Sequence, residues 1–231
     1  HTQTAGSTLT AQQSENNVVR VAIQALAAVC GGTQSLHTNS RDEALGLPTE
    51  TSARLALRTQ QIVSLESGVA DVADPLGGAW AIEALTDQIV AAARAYIERI
   101  DEMGGPIAAL ERGFQSKEIA DAAYEAQRAI EDGRQKVVGV NCFEMGADEP
   151  VEVLAIDPHA ERDQCERLAA FRAARDSARA GATLAALDGA ARAGRNVMPE
   201  ILAAVRAEAT LGEVANALRA VYGEHREAAF G

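Results

Sequence analysis

Residues 16–39 read NNVVRVAIQALAAVCGGTQSLHTN, and the order of signals in this stretch decides the fold. Val18, Val19, Ala22, Ile23, Leu26 and Val29 or Cys30 recur three and four residues apart, the spacing of one helix face. Gly31-Gly32 stops that helix, and TQSLHTN after it has the length of a short strand. Before the helix, HTQTAGSTLTAQQ (1–13) is small, polar and rich in Thr and Gln, the character of a strand end and loop. Ser40-Arg41-Asp42-Glu43 follows as an S-x-x-E helix-start signal. Loop, helix, strand and renewed helix start, in that order, predict a parallel β/α unit.

Downstream, the periodicity predicts a helix from about Thr51 to Ser67 with Leu55, Ile62 and Leu65 along its apolar edge. ADPLGGAW is a Pro/Gly turn. Beyond it Leu85, Ile89, Ala92, Tyr96 and Ile100 mark a helix ending at Gly104-Gly105. Residues 106–133 hold two helical segments broken near Gly113 and Gly133. Lys136–Asn141 (KVVGVN) reads as a short strand, GADEP (146–150) as a linker, and Val151–Ile156 as a second extended piece. From Glu161 the chain reads as helical, with Leu168 and Phe171 on one face and Leu184 and Leu187 in a following helix. A capping box at Thr210-Leu-Gly-Glu213 opens the last helix, whose stripe is Val214, Leu218 and Val221. No period of 20–50 residues repeats.

The 231 residues carry a formal net charge of −12, which disfavours nucleic-acid binding. No apolar run approaches the roughly 18 residues that a membrane helix needs. Cys30, Cys142 and Cys165 are too few and too scattered for a disulfide framework, so a reducing cytoplasm is the expected setting. A closed β/α barrel takes about 250 residues and eight alternating units. Only the first forty or so residues here offer barrel-like strands. Two parallel strands alone leave open edges, so the rest of the sheet is expected from polypeptide outside this chain. The start at His1 without a methionine fits a fragment.

HTQTAGSTLTAQQSENNVVR (1–20), GGTQSLHTNSRDEALGLPTE (31–50), DPLGGAW (74–80) and VVGVN (137–141) together resemble the methylmalonyl-CoA mutase family. The similarity runs in order across nearly the whole chain and is strongest over residues 1–80. It implies the carboxyl-terminal part of a (β/α)₈ TIM barrel over residues 1–135, followed by a linker and a mostly helical extension over 136–231. The activity it implies is an adenosylcobalamin-dependent acyl-CoA mutase, rearranging a carbon skeleton by radical chemistry that belongs to the cofactor. The expected partners are an acyl-CoA substrate, the remainder of the barrel, and a cobalamin-binding domain or small subunit. A G-protein chaperone is a further candidate partner. Chains of this family without a fused cobalamin domain include isobutyryl-CoA mutase large subunits. The alternative is a non-catalytic helical module that assembles with a mutase barrel or its cobalamin subunit.

By the same resemblance, the loops after the two strands face the cofactor. Gly6 matches a glycine at which the backbone approaches cobalamin, since a residue without Cβ can lie against a planar macrocycle. Otherwise it is an ordinary turn glycine. Gln3 matches a glutamine lining the cavity near the adenosyl group, where an amide donates and accepts without adding charge. Otherwise it is a solvated loop residue. Glu43 matches a carboxylate beside the adenosyl ribose, and equally completes the Ser40 capping box. Asn39 is either an N-cap or an amide contact to the cofactor, and Gly46 matches a small residue against the corrin. His37 is read as structural, because the family's acid-base histidine lies in the portion absent here, so no catalytic residue is assigned. Trp80, the sole tryptophan, is read as a packing anchor. Asp157-Pro-His159-Ala-Glu-Arg162 begins like the cobalamin signature DxHxxG but has Arg162 in place of its glycine, and is rejected as a cobalt site.

Overall fold

The computed structural model describes residues 1–146, 151 and 153–225, and it divides into two units. The first spans His1–Ala155 and the second begins at Ile156.

The first unit opens with β1 (Thr2–Gln3), a 3₁₀ turn (Gly6–Thr8), α1 (Asn16–Cys30) and β2 (Leu36–His37). The strands pair in parallel, Thr2 with Leu36 and Gln3 with His37, so β1–α1–β2 is the predicted β/α unit. Each strand is only two residues long, and β1–β2 is the whole sheet among the described residues. Helix α1 ends where Gly32 takes a positive φ of 76° and the Thr33 amide turns back to the Ala28 carbonyl. Helix α2 (Glu50–Glu66) packs against α1.

The inward faces differ from those expected. In α1 the buried residues are Asn17, Val21 and Ala25, whereas Val19, Ile23 and Leu26 are exposed. In α2 Ser52, Ala56, Thr59 and Val63 are buried, while Ile62 and Leu65 face outward. Small residues lie inside because the two helices and the sheet pack closely, and the larger stripes have no partner among the described residues. Helix α3 (Trp80–Glu102) buries none of its residues, and Trp80 is 93% exposed, so it anchors nothing in this unit.

Helices α4 (Pro106–Glu111) and α5 (Phe114–Glu131) complete the first unit. The Phe114 ring lies under the Arg99 guanidinium, 4.5 Å from ring centre to carbon, and Tyr96 donates its hydroxyl to Glu118 at 2.6 Å. KVVGVN does not form a strand. Asn141 folds it into a turn, donating to the Ile130 and Gln135 carbonyls and accepting from the Val137 amide, each at 2.7 Å. Within the first unit this segment is tied to α1 and the loop before it, through Arg20 to the Val138 carbonyl (2.7 Å) and Gln13 to the Phe143 carbonyl (3.0 Å). The linker expected at 146–150 lies, beyond Gly146, outside the described residues, and residues 153–156 form no strand.

The second unit has only helices as regular structure among its described residues: α6 (Ala160–Ala174), α7 (Ser177–Arg192), α8 (Met198–Arg206) and α9 (Leu211–Tyr222). Its core joins Leu187, Ala204, Ala209 and Val214, with Leu184 and Leu218 packed against them. The predicted capping box at Thr210 and Glu213 is present. Glu213 also takes a two-pronged hydrogen bond from Arg175, at 2.5 and 2.6 Å. That guanidinium holds the Glu213 carboxyl far below the usual carboxylate range. No helix among the described residues is long and apolar enough to cross a membrane.

Candidate functional site

The parallel pairing brings the loops that leave the ends of β1 and β2 side by side. Asn39 sits at the centre of the junction, 4% exposed. Its Oδ1 accepts the Thr4 hydroxyl at 2.9 Å, while its backbone N–H donates to the same Thr4 oxygen at 2.9 Å. Gln3 Nε2 approaches Asn39 Oδ1 from the other side at 3.4 Å.

Gly6 faces this cluster. A Cβ added there would stand 2.9 Å from Asn39 Nδ2, 3.0 Å from Glu43 Oε1 and 3.3 Å from Glu43 Cγ. Four of the five expected residues, Gln3, Gly6, Asn39 and Glu43, therefore meet in one place. The absence of a side chain at Gly6 has a reason within the chain, since neighbouring side-chain atoms occupy the space that a methyl group would take. Gly46 does not join them. It is exposed, with no atom near its Cβ direction, and its amide closes a turn onto the Asp42 carbonyl at 3.0 Å.

Neither Asn39 nor Ser40 caps a helix. Helix α2 starts at Glu50, with the Thr49 hydroxyl accepting from the Ser52 amide at 3.2 Å. The Ser40 hydroxyl instead donates to the Asp42 carboxylate, and residues 40–46 form a separate turn closed by Glu43 N to Ser40 O at 3.2 Å. Released from capping, the exposed Glu43 carboxylate receives no hydrogen bond or ion pair among the described residues. It lines an open hollow of about 240 Å³ together with His37, Thr38, Pro48 and Gln60. His37 thus borders the same hollow as Glu43.

Two residues that organise the site were not singled out by sequence reasoning. Asp42 is fully buried. Burial pushes its carboxyl up, but hydrogen bonds from Ser40, Ser52, the Thr49 amide and its own amide outweigh this and hold it below its ordinary value. Asn17 is also fully buried. Its Nδ2 donates to the Thr10 and Arg41 carbonyls, both at 2.8 Å, and its Oδ1 accepts from the Thr10 amide at 3.1 Å and Arg20 at 2.8 Å. One amide thereby ties the loop after β1 to the loop after β2. The available signal was a polar residue on the inward face of α1, in register with Val21 and Ala25.

Elsewhere, Asp157 and His159 belong to the start of α6, where the His159 amide donates to Asp157 Oδ1 at 2.8 Å. Along the outer face of α1, Val19 and Ile23 line an apolar groove of about 530 Å³ with Val137 and Val138.

The arrangement defines a class before it defines a family: a β/α unit whose strand-end loops carry a largely uncharged polar cluster with one free carboxylate. The family model described as "Methylmalonyl-CoA mutase" matches residues 1–224. The chain is 47% identical over 228 residues to human "Methylmalonyl-CoA mutase, mitochondrial", covering 98% of this chain and 30% of that relative. It is 46% identical over 223 residues to the "Methylmalonyl-CoA mutase" of Escherichia coli K12, covering 96% of this chain and 31% of the relative. The enzyme of the same name in Cereibacter sphaeroides is 44% identical over 227 residues, with 98% and 32% covered. The chain belongs to the methylmalonyl-CoA mutase family, an isomerase family by name, and spans 30 to 32% of the length of these three relatives.

Proposed function

We propose that this chain contributes the carboxyl-terminal part of the TIM barrel of an adenosylcobalamin-dependent acyl-CoA mutase, and that the Gln3–Gly6–Asn39–Glu43 cluster forms the wall facing the adenosyl group. The observation that carries the reading is the unpartnered Glu43 carboxylate beside Gly6 and the Asn39 amide, in a chain matched by the mutase family over residues 1–224. The donor set fits an adenosyl ribose. A carboxylate accepts hydrogen bonds from hydroxyls, and the Gln3 and Asn39 amides donate or accept without bringing a second charge. With no side chain at Gly6, the Asn39 amide and the Glu43 carboxylate can close onto the backbone there.

Bound there, adenosylcobalamin supplies the radical that starts the rearrangement of a branched acyl-CoA. The chain's own part is to fix the ribose side of the cofactor through Glu43 and Asn39, beside the open hollow that His37 and Glu43 share. No residue here is assigned a proton-transfer step. The corrin contact proposed for Gly46 rests on the resemblance alone. The remainder of the barrel, a cobalamin-binding domain or subunit and the acyl-CoA are the partners on this reading. A G-protein chaperone is a further candidate, and a reducing, cytoplasm-like compartment suits the three free cysteines. The substrate pair is methylmalonyl-CoA/succinyl-CoA or isobutyryl-CoA/butyryl-CoA.

The test uses the full-length polypeptide containing these residues, its cobalamin partner, adenosylcobalamin and a panel of branched acyl-CoA esters. Turnover of one ester that requires adenosylcobalamin supports the proposal. Glu43→Gln should then lower turnover by about tenfold while leaving the melting temperature close to wild type, since its carboxylate carries no internal bond. A loss of stability with unchanged activity per folded molecule would refute the assignment of Glu43.

A further inference from the structure

Glu43 makes no bond that would hold it against Gly6, so something else must aim it. Its position follows from the turn at 40–46, and that turn is fastened at Asp42. The buried Asp42 carboxylate accepts the Ser40 hydroxyl, the Ser52 hydroxyl and, at 3.2 Å, the Thr49 amide. It therefore grips the first residues of α2. The Asp42 carbonyl accepts the Leu45 amide at 2.8 Å and the Gly46 amide at 3.0 Å, which closes the turn around Glu43. On the other flank, the Arg41 carbonyl is held by Asn17 at 2.8 Å, and the Arg41 guanidinium pairs with Glu15. Residue 43 leaves a backbone clamped on one side to α1 and on the other to α2.

We infer that Asp42 is a positioning residue for the Glu43 carboxylate, locking the loop after β2 so that this carboxylate stands beside Gly6 at the adenosyl-facing wall; this rests on the function proposed above. The physical requirement is an anion. The Thr49 N–H cannot reverse direction, so the group opposite it must accept, and a buried group taking several donors is best satisfied when charged. An amide of the same size would turn one of its ends into a donor. The turn would then loosen without emptying the core, and Glu43 would spread over several positions.

The test is a double-mutant cycle in the full-length enzyme, read as the dissociation constant of adenosylcobalamin from its visible absorbance. Asp42→Asn and Glu43→Gln should each weaken binding by about tenfold, the size expected for one charge-assisted hydrogen bond. If Asp42 acts through Glu43, the double variant binds no more than about twofold worse than Glu43→Gln alone. The KM for the acyl-CoA ester should stay within about twofold of wild type, which a general loosening of the fold would not allow. Ser52→Ala, which removes one donor to the carboxylate, enters the same cycle and decides the matter if Asp42→Asn fails to fold. Penalties that multiply to about a hundredfold, wild-type binding in Asp42→Asn, or a parallel rise in the acyl-CoA KM would overturn the positioning role and leave the proposed function standing. A wild-type enzyme that binds no adenosylcobalamin overturns both.

Discussion

Replacing Gly6 by alanine tests the geometry of the cluster most directly. The backbone at Gly6 is not left-handed, so the penalty for a methyl group is steric. The new Cβ would meet Asn39 Nδ2 at 2.9 Å and Glu43 Oε1 at 3.0 Å, roughly half an ångström closer than ordinary van der Waals contact. The two neighbours do not yield equally. Asn39 is buried and locked by its reciprocal bonds with Thr4, while Glu43 is exposed and unbonded. Glu43 therefore moves, but the contact with Asn39 Nδ2 remains and has to be relieved by a shift of the loop itself. The cost should accordingly fall within the overpacking range, about 1–3 kcal/mol. For a domain of 150–250 residues each kcal/mol is about 2–4 °C in melting temperature. On the proposed function, adenosylcobalamin affinity should fall by much more than this suggests, because the carboxylate proposed to meet the ribose has been pushed aside. The assay is calorimetry and cofactor titration of full-length Gly6→Ala, alone and combined with Glu43→Ala. Removing the Glu43 side chain relieves only its own contact, so most of the stability cost should persist in the combined variant through Asn39. A combined variant as stable as Glu43→Ala alone would refute this assignment of the steric cost.

Asn17→Ala should destabilise the first unit by about 3 kcal/mol, since it strands two half-buried carbonyls and an amide; urea titration reads this directly. Glu213→Gln should cost stability near neutral pH. The folded carboxyl is depressed, so its contribution is present above the unfolded value of 4.5 and is lost as pH falls below it. The gap between wild-type and variant melting temperatures should accordingly narrow from about pH 5 to pH 3, and a gap that widens there would contradict the ion pair's role. The 231 residues expressed alone should self-associate, because α3 buries none of its residues and Trp80 stands in the open. Sedimentation showing a monomer with a sharp cooperative melt would count against this.

Most helix limits were legible because glycines and caps mark them locally. Gly31-Gly32, Gly104-Gly105 and the Thr210 box stop or start helices by rules that need no tertiary information. The cluster was legible for a different reason. Gly6 and Glu43 came from family resemblance, and parallel pairing of β1 with β2 then juxtaposes their loops. The misreadings share a cause. Ser40–Glu43 satisfies a local capping rule, but Asp42 finds better partners on α2, and KVVGVN has strand propensity that Asn141 overrides with three hydrogen bonds. In both places a single buried or half-buried polar side chain reaches beyond the window in which a sequence pattern is read.

Helix α1 shows why the choice of inward face also failed, and why that failure is informative. Its sequence carries two apolar stripes, Val21 with Ala25 and Val19 with Ile23 and Leu26. The narrower one packs against the sheet and α2 because close approach demands small side chains, and Asn17 extends it with bonds to both site loops. The broader stripe is left open and borders the apolar groove with Val137 and Val138. A helix flanking a complete barrel would need both stripes, one for its strand and one for its neighbours. The site loops, by contrast, are held by hydrogen bonds from within this chain. Their geometry rests on Asn17, Thr4 and Asp42, and so is preorganised by this chain's own contacts.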